Sequence, residues 1–447
     1  MQQKYSKYYF VGVGGIGMSA LARYIAMQGK QVYGYDSTET DLTIKLQNEG
    51  VNITYNDTVE QLPELNVIDT LVVFTPAVRN KNRLLNYFKR NGFTCVKRAE
   101  LLGAITKSTV CLAVAGTHGK TTTASILAHL LIDSVKSVSA FLGGIAENYQ
   151  SNFIYRGSEI TVVEADEYDR SFLHLSPSIA CINNTDADHL DIYQSPEAMQ
   201  DAFMAFADLV PNKSDLVHPI DLNFGGTKVA IETEADYYAK NIRVENGQYV
   251  FELQTPSGVL SDLRFGMPGY HNLMNAITAL TMALKAGVSG ELLVDALPRF
   301  QGVDRRFSVR YNTEAKVVIE DYAHHPIELS ALYNAAKTMY KTEEIALVFQ
   351  PHLYSRTRDF GKEFAESLSL FDQLFLLDIY PARELPIEGI NSQWLLDQVS
   401  IANKKLITKE AIFDEIKNTS AKVILMAGAG DITKEVQNIV KLLGYEK

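Results

Sequence analysis

The stretch from Ser108 to Leu131, STVCLAVAGTHGKTTTASILAHLL, constrains this chain more than any other. An apolar, β-branched run from Val110 to Ala115 breaks at Gly116-Thr117-His118-Gly119-Lys120-Thr121, and residues of helical spacing follow. Strand, glycine loop and helix in that order form a phosphate cradle. Glycines let backbone N–H groups turn toward an anion, and the helix N-terminus adds positive potential. Lys120 reaches a terminal phosphate, and the Thr121 hydroxyl suits a Mg²⁺ ion held between phosphates. The usual P-loop places its first glycine about five residues before its second. Val114 stands at that position, so this loop is shorter and opens at Gly116. A tight glycine turn carrying Lys-Thr by chance is the competing reading, and the flanking strand and helix count against it. The loop reads as a nucleoside triphosphate site.

At 447 residues the chain exceeds one ordinary core, and its length points to about three domains. A net charge of -11 offers no electrostatic footprint for nucleic acid or anionic lipid. A polyanionic ligand must then be held by local devices: glycine loops, single cations and metal ions. Cys95, Cys111 and Cys181 lie in apolar contexts without paired spacing, which fits reduced, buried thiols. Glycines and Arg23 interrupt the apolar start from Tyr8 to Met27, so it reads as neither a signal nor a membrane segment. A cytoplasmic protein without membrane insertion or nucleic-acid partner is expected, as a monomer or homodimer.

The expected fold is α/β in three domains. Residues 1–107 form a Rossmann-like domain, 108–310 a central P-loop ATPase-like parallel sheet with a small antiparallel patch, and 311–447 a second Rossmann-like domain. In the first, Tyr8 to Val11 is a strand, Gly12-Val13-Gly14-Gly15-Ile16-Gly17 its turn, and Met18 to Gln28 a helix. Gln31 to Tyr35 is a second strand ending at Asp36. This βαβ unit suits any diphosphate, a nicotinamide dinucleotide among them, with Asp36 on a ribose or simply forming a turn.

In the central domain, Ile160 to Val163 is a buried strand ending in Glu164-Ala165-Asp166-Glu167. Glu164, closest to the strand, is the candidate Mg²⁺ ligand, whereas Glu167 and Asp169 read as solvated. A further strand, Ser178 to Ile182, leads to a polar run ending in Asp188-His189-Leu190-Asp191. His189 reads either as a metal ligand or as a local ion pair. Asn-Gly at 246–247 marks a hairpin within the antiparallel patch, Asn241 to Phe265. His271, Asn272 and Asn275 share the first turn of a helix running to Lys285, where Asn272 is alternatively an N-cap. In the last domain, strands at 316–320, 344–350, 374–378 and 422–426 each end in a polar cluster.

Taken in order, GVGGIGMSA from Gly12, Thr75 to Val78, Arg98-Ala99-Glu100, Gly116 to Thr122, Glu164 to Glu167, Ala187-Asp188-His189, His271-Asn272 with Asn275, Asp304 to Phe307, Asp321 to Pro326, and Phe349 to His352 with Arg356-Thr357-Arg358 resemble the Mur ligases of cell-wall synthesis. The opening motif resembles the members that join L-alanine to UDP-N-acetylmuramate. The resemblance implies an ATP-dependent, amide-forming ligase acting through an acyl phosphate, with Mg²⁺ as cofactor and UDP-N-acetylmuramate, L-alanine and ATP as substrates. It implies that Gly14, Gly15, Gly17 and Asp36 hold the UDP-sugar. It gives ATP to Gly116, Thr117, His118, Gly119, Lys120, Thr121 and Thr122, with His271, Asn272, Asn275, Arg305 and Asp321. Thr121, Glu164 and His189 match the metal shell, and Lys120, Glu164 and His189 the catalytic set. Tyr322, His324 and Arg356 match the amino-acid pocket, beside which some members carry a basic residue where Leu353 stands. Three other readings compete. A recycling ligase would attach a preformed peptide to the same sugar. A nicotinamide oxidoreductase would leave the second glycine loop unused. A non-catalytic nucleotide switch would make no amide.

Overall fold

Three β-sheets follow one another along the chain, and their central strands are apolar runs too uniformly hydrophobic for a sheet with one wet face. The computed structural model describes residues 4–445 apart from 79–80, 187–192, 194, 246–247 and 383. The expectation for His189 and the Asn-Gly turn at 246–247 fall outside the described residues.

The first sheet contains β1 (Lys7–Val11), β2 (Gln31–Tyr35), β3 (Asn52–Thr54), β4 (Thr70–Phe74) and β5 (Thr94–Lys97), ordered β3-β2-β1-β4-β5. All its pairings are parallel. Because β2 and β4 flank β1 on opposite sides, strand order reverses beside β1. A crevice opens there at the strands' carboxyl ends, where ligands bind in such folds.

The second sheet has ten strands: β6 (Val110–Ala115), β7 (Val138–Ala146), β8 (Ser151–Tyr155), β9 (Ile160–Glu164), β10 (Ile179–Ile182), β11 (Leu216–Pro219), β12 (Thr227–Ile231), β13 (Tyr237–Glu245), β14 (Gln248–Thr255) and β15 (Gly258–Phe265). Their order is β15-β14-β13-β12-β11-β10-β6-β9-β7-β8. The strands of the expected small patch, β13 to β15, form one end of this sheet, where β13 pairs in parallel with β12. Here too the order reverses beside one strand, β6, with β9 and β10 as parallel neighbours. Cys111 to Ala115 are fully buried, as a central strand covered on both faces requires.

The third sheet holds β16 (Ser308–Asn312), β17 (Val317–Asp321), β18 (Ile345–Phe349), β19 (Gln373–Leu376), β20 (Lys404–Leu406) and β21 (Val423–Ala427), ordered β16-β17-β21-β18-β19-β20. Only β16, at an edge, runs antiparallel to its neighbour among the described pairings.

The chain divides into two compact units. One holds the chain up to Arg243 with Val250–Phe265 and Met274–Gln301, and the other holds Val244–Tyr249, Gly266–Leu273 and everything from Gly302 onward. The expected seam at 107–108 lies inside the first unit. There the Arg98–Thr106 helix packs closely on the 168–174 segment, with Gly103 against the His174 carbonyl where a Cβ has no room. The expected seam at 310–311 falls within β16.

Candidate active site

In the first unit, two helices start at the carboxyl ends of β1 and β6. The Ile16–Met27 helix begins at Gly15 and the Lys120–Asp133 helix at Gly119. Neither has a capping side chain, and neither has an acidic residue in its first turn. Helix-start N–H groups lack intrahelical partners, so both ends present donors and partial positive charge to an anion.

At the first of these, Gly14 N–H is already committed, donating to Asp36 Oδ2 at 2.8 Å. Asp36 therefore braces the turn from the end of β2, and Gly15 N–H turns back to the Gly12 carbonyl at 3.4 Å. A Cβ at Gly14 would lie 2.8 Å from the same oxygen and 2.7 Å from Thr43 Cγ2, so the close approach requires glycine. Gly15 is exposed at the helix start, and Gly17 lies beneath the Arg98 guanidinium.

At the second helix, Gly116 and Gly119 take φ of 127° and 79°, which glycine adopts without strain. Residues after β10 brace the loop. His118 N–H donates to Asn184 Oδ1 at 2.8 Å, and the Thr117 hydroxyl donates to the Asp186 carbonyl at 2.7 Å. Thr122 is buried in the helix. Asn275 lies against the loop, its Oδ1 being 2.6 Å from where a Cβ on Gly119 would stand.

Lys120 folds back over its loop. Its Nζ donates to the Gly116 carbonyl at 2.6 Å and to both Glu167 oxygens, at 2.9 and 2.8 Å. Burial works against the ammonium, but Glu167, Asp166 and Glu164 outweigh it and hold the lysine above its ordinary pKa. Glu167, expected to be solvated, is 1% exposed and is the counter-ion of the loop lysine. The EADE spacing puts two acids on this crevice rather than one, because the chain turns sharply after β9. Asp169, the other acid expected in solvent, is half-buried in an ion pair with Lys97 at 2.7 Å.

Glu164 pairs in register with Val114, which brings it beside the start of the helix that follows β6. Thr121 Oγ1 donates to Glu164 Oε2 at 3.0 Å, and Gly143 N–H donates to Oε1. Burial raises the Glu164 pKa against the opposing pull of Gly143 N–H, Lys120 and Thr121. No group of three or more His, Cys, Asp or Glu that could hold a metal gathers among the described residues. Thr121 and Glu164 together offer two hard oxygen donors, which suits Mg²⁺ because that ion keeps water and phosphate oxygens for its remaining positions.

In the second unit, residues at the carboxyl ends of β17 and β18 gather. Tyr322 lies under Arg305, whose guanidinium carbon is 4.7 Å from the ring centroid. Arg305 also donates to the Gly428 carbonyl at 2.6 Å. The His324 and Tyr322 rings meet edge to face, His324 meets His352, and Arg356 Nη1 lies 3.5 Å from His352 Nδ1. His352 thus joins residues that the sequence leaves far apart. His324 Nδ1 faces the Tyr322 carbonyl at 2.9 Å and the Glu328 carboxylate at 3.3 Å, both acceptors, so the proton sits on Nδ1. Leu353 takes a left-handed φ of 72°, a costly conformation for a branched residue that tends to persist at functional sites. On the helix from Tyr270, His271 is exposed and Asn272 is not the N-cap, since its amide donates to the Pro268 carbonyl at 2.7 Å.

Asp321 accepts from Phe307 N–H and Ala323 N–H, both at 2.7 Å. Burial nevertheless lifts its carboxyl to about 6, although Arg306 and those N–H groups favour the charged form. A carboxyl with a raised pKa binds its proton more tightly folded than unfolded. Its contribution to stability is therefore full below about pH 4 and lost as pH rises through about 6. Asp321→Asn should flatten that fall, checked by comparing guanidinium midpoints with the parent between about pH 4 and 7.

Comparison with known proteins converges with this geometry. Residues 7–109 match the model of the Mur ligase family catalytic domain, 114–283 the Mur ligase middle domain, and 305–433 the Mur ligase glutamate ligase domain. UDP-N-acetylmuramate--L-alanine ligase of Christiangramia forsetii is 52% identical over 442 residues, covering 98% of each chain. The same-named protein of Flavobacterium johnsoniae is 51% identical over 97% of each. The crystal structure of UDP-N-acetylmuramate-alanine ligase from Thermotoga maritima superposes with a TM-score of 0.84 at 27% identity, covering 99% of this chain and 100% of that one. A murein peptide ligase from Psychrobacter arcticus, 21% identical, shares the fold with a TM-score of 0.71 over 98% of this chain and 99% of that one. Two uncapped glycine-led helices, a braced loop lysine and matches along nearly the whole chain together place this protein in the Mur ligase family, and it is a ligase enzyme.

Proposed function

We propose that this chain joins L-alanine to the carboxylate of UDP-N-acetylmuramate at the expense of ATP, in building the peptidoglycan precursor. The observation that carries the reading is the Lys120 loop, its ammonium gripped by Glu167 beside the Thr121–Glu164 pair. The relatives at 51 and 52% identity bear the name of that reaction, which favours it over a peptide-recycling ligase.

A carboxylate is a poor acyl donor, because its charge repels nucleophiles and oxide leaves badly. Attack of a carboxylate oxygen on the γ-phosphorus of ATP, with cleavage of the bond to the bridging oxygen, gives an acyl phosphate and ADP. Lys120 and the N–H groups at the start of its helix offset charge on the transferring group. Thr121 and Glu164, with His189 completing the set the resemblance implies, would hold Mg²⁺, which supplies Lewis-acid polarisation of phosphoryl oxygens. The neutral amine of L-alanine then attacks the acyl carbon, loses a proton and expels phosphate. His324, protonated on Nδ1, leaves Nε2 as an acceptor for that proton. Tyr322 and Arg356 line the amino-acid pocket. Gly15, Gly17 and the helix they open hold the UDP diphosphate, with Asp36 shaping the turn. The first, second and third sheets with their helices then correspond to sugar, ATP and amino-acid binding.

Among the described residues no helix is long and apolar enough to cross a membrane. Use of ATP and a UDP-linked sugar supports a cytoplasmic reaction. The test is incubation with ATP, Mg²⁺, UDP-N-acetylmuramate and mixed amino acids, followed by product mass. One alanyl residue added per phosphate released is expected. Phosphate release without an amide product, or addition of a peptide in preference to alanine, would refute the assignment.

A further inference from the structure

Arg98 opens the Arg98–Thr106 helix and belongs to the Arg-Ala-Glu motif, yet the reaction described above gives it no task. Its backbone is firmly set, since Glu100 Oε2 accepts from Lys97 N–H at 2.6 Å and Lys97 pairs with Asp169 at 2.7 Å. Its guanidinium lies on Gly17, close enough that a Cβ there would stand 2.7 Å from Nη1 and 3.4 Å from Cζ. Gly17 is in the first turn of the uncapped helix after β1, so the cation borders the glycine cradle. On its other side, Nη2 donates to Asp166 Oδ2 at 2.9 Å. Asp166 lies between Glu164 and Glu167, the acids beside the loop lysine. Arg98 and Glu164 also line one small hollow with Ser171 and Phe172.

A guanidinium carries five N–H donors in a planar fork suited to carboxylate and phosphate. Among the described residues Asp166 is its one hydrogen-bond partner, which leaves the edge above Gly17 to take an anion. We propose that Arg98 contacts substrate, taking an anionic group of the UDP-sugar seated on the Gly14–Gly17 turn while Asp166 fixes the direction it faces. This rests on the ligase reading. The shared chemistry is an oxyanion, supplied by either the diphosphate or the lactyl carboxylate. The lack of a side chain at residue 17 follows from the same arrangement, because any Cβ would push the fork off the cradle.

Calorimetric titration of the full chain tests this, using UDP, UDP-N-acetylglucosamine, UDP-N-acetylmuramate and a non-hydrolysable ATP analogue with Mg²⁺. Arg98→Ala should weaken UDP-N-acetylmuramate binding about tenfold or more while ATP-analogue affinity stays within about threefold. Arg98→Lys should recover part of the loss, since it restores charge without the fork. Asp166→Asn should cost less than Arg98→Ala. An equal loss toward UDP and UDP-N-acetylglucosamine would name the diphosphate as the group bound. A loss confined to UDP-N-acetylmuramate would name the carboxylate. Smaller losses than these, an Asp166→Asn effect as large as that of Arg98→Ala, or parallel loss of the ATP analogue would reduce Arg98 to a structural brace and overturn the proposal. Parent protein that binds UDP-N-acetylmuramate but forms no amide would defeat the ligase reading while leaving the comparison of variants intact.

Discussion

Lys120→Ala is expected to lower turnover about a thousandfold and to destabilise the first unit as well. In the proposed reaction Lys120 offsets charge that develops on the transferring phosphoryl group, and the substitution removes that cation. The stability loss follows from Glu167, which is 1% exposed and would lose its lysine counter-ion while buried. Breaking one side of such a pair costs about 3–5 kcal/mol. Adding Glu167→Gln to Lys120→Ala should then restore most of the melting temperature and none of the activity. Phosphate release and thermal unfolding of the two variants check both halves. Normal release from folded Lys120→Ala would remove the lysine from the mechanism, and an unshifted melting temperature would show that the ion pair contributes little.

The second large effect is expected at Glu164. Removing residues that merely support metal ligands costs about 10–100-fold in metal affinity, so Glu164→Gln should raise the Mg²⁺ requirement at least about tenfold. Burial holds the Glu164 pKa above an ordinary carboxylate's, so a metal must displace a proton there more often than at a solvated acid. In the parent, apparent Mg²⁺ affinity should weaken as pH falls toward that raised pKa. In Glu164→Gln, which has no proton to displace, this slope should be absent. Magnesium titrations of phosphate release at several pH values measure both, and superimposable curves for the two proteins would exclude Glu164 as a ligand.

Much of the fold is legible because its strands are buried on both faces. Val110–Ala115 and Val423–Ala427 are apolar throughout and Thr70–Phe74 is apolar after its first residue, and each is followed by glycine or polar residues where the chain leaves the sheet. Short or edge strands such as Asn52–Thr54 and Lys404–Leu406 carry no such signal, since their residues are partly exposed. Local motifs likewise expose the loop lysine and Glu164, but not the groups that hold them. Gly143 reaches Glu164 from β7, and His352 joins His324 to Arg356 through ring contacts between strand ends. Those pairings depend on sheet order, which the sequence does not state. The burial of Glu167 escapes the sequence for a related reason. Acids at a strand end read as solvated until the turn carrying them is seen to fold back onto a lysine.

The Lys120–Glu167 clasp has a bearing on which anions this loop will admit. A newcomer to that cradle meets an ammonium already neutralised and must share it with a fixed competitor. Singly charged ions gain little from such sharing, whereas a chain of linked phosphates gains from several contacts together. On the ATP reading proposed above, the clasp would act as a filter that retains stray chloride poorly while admitting the nucleotide.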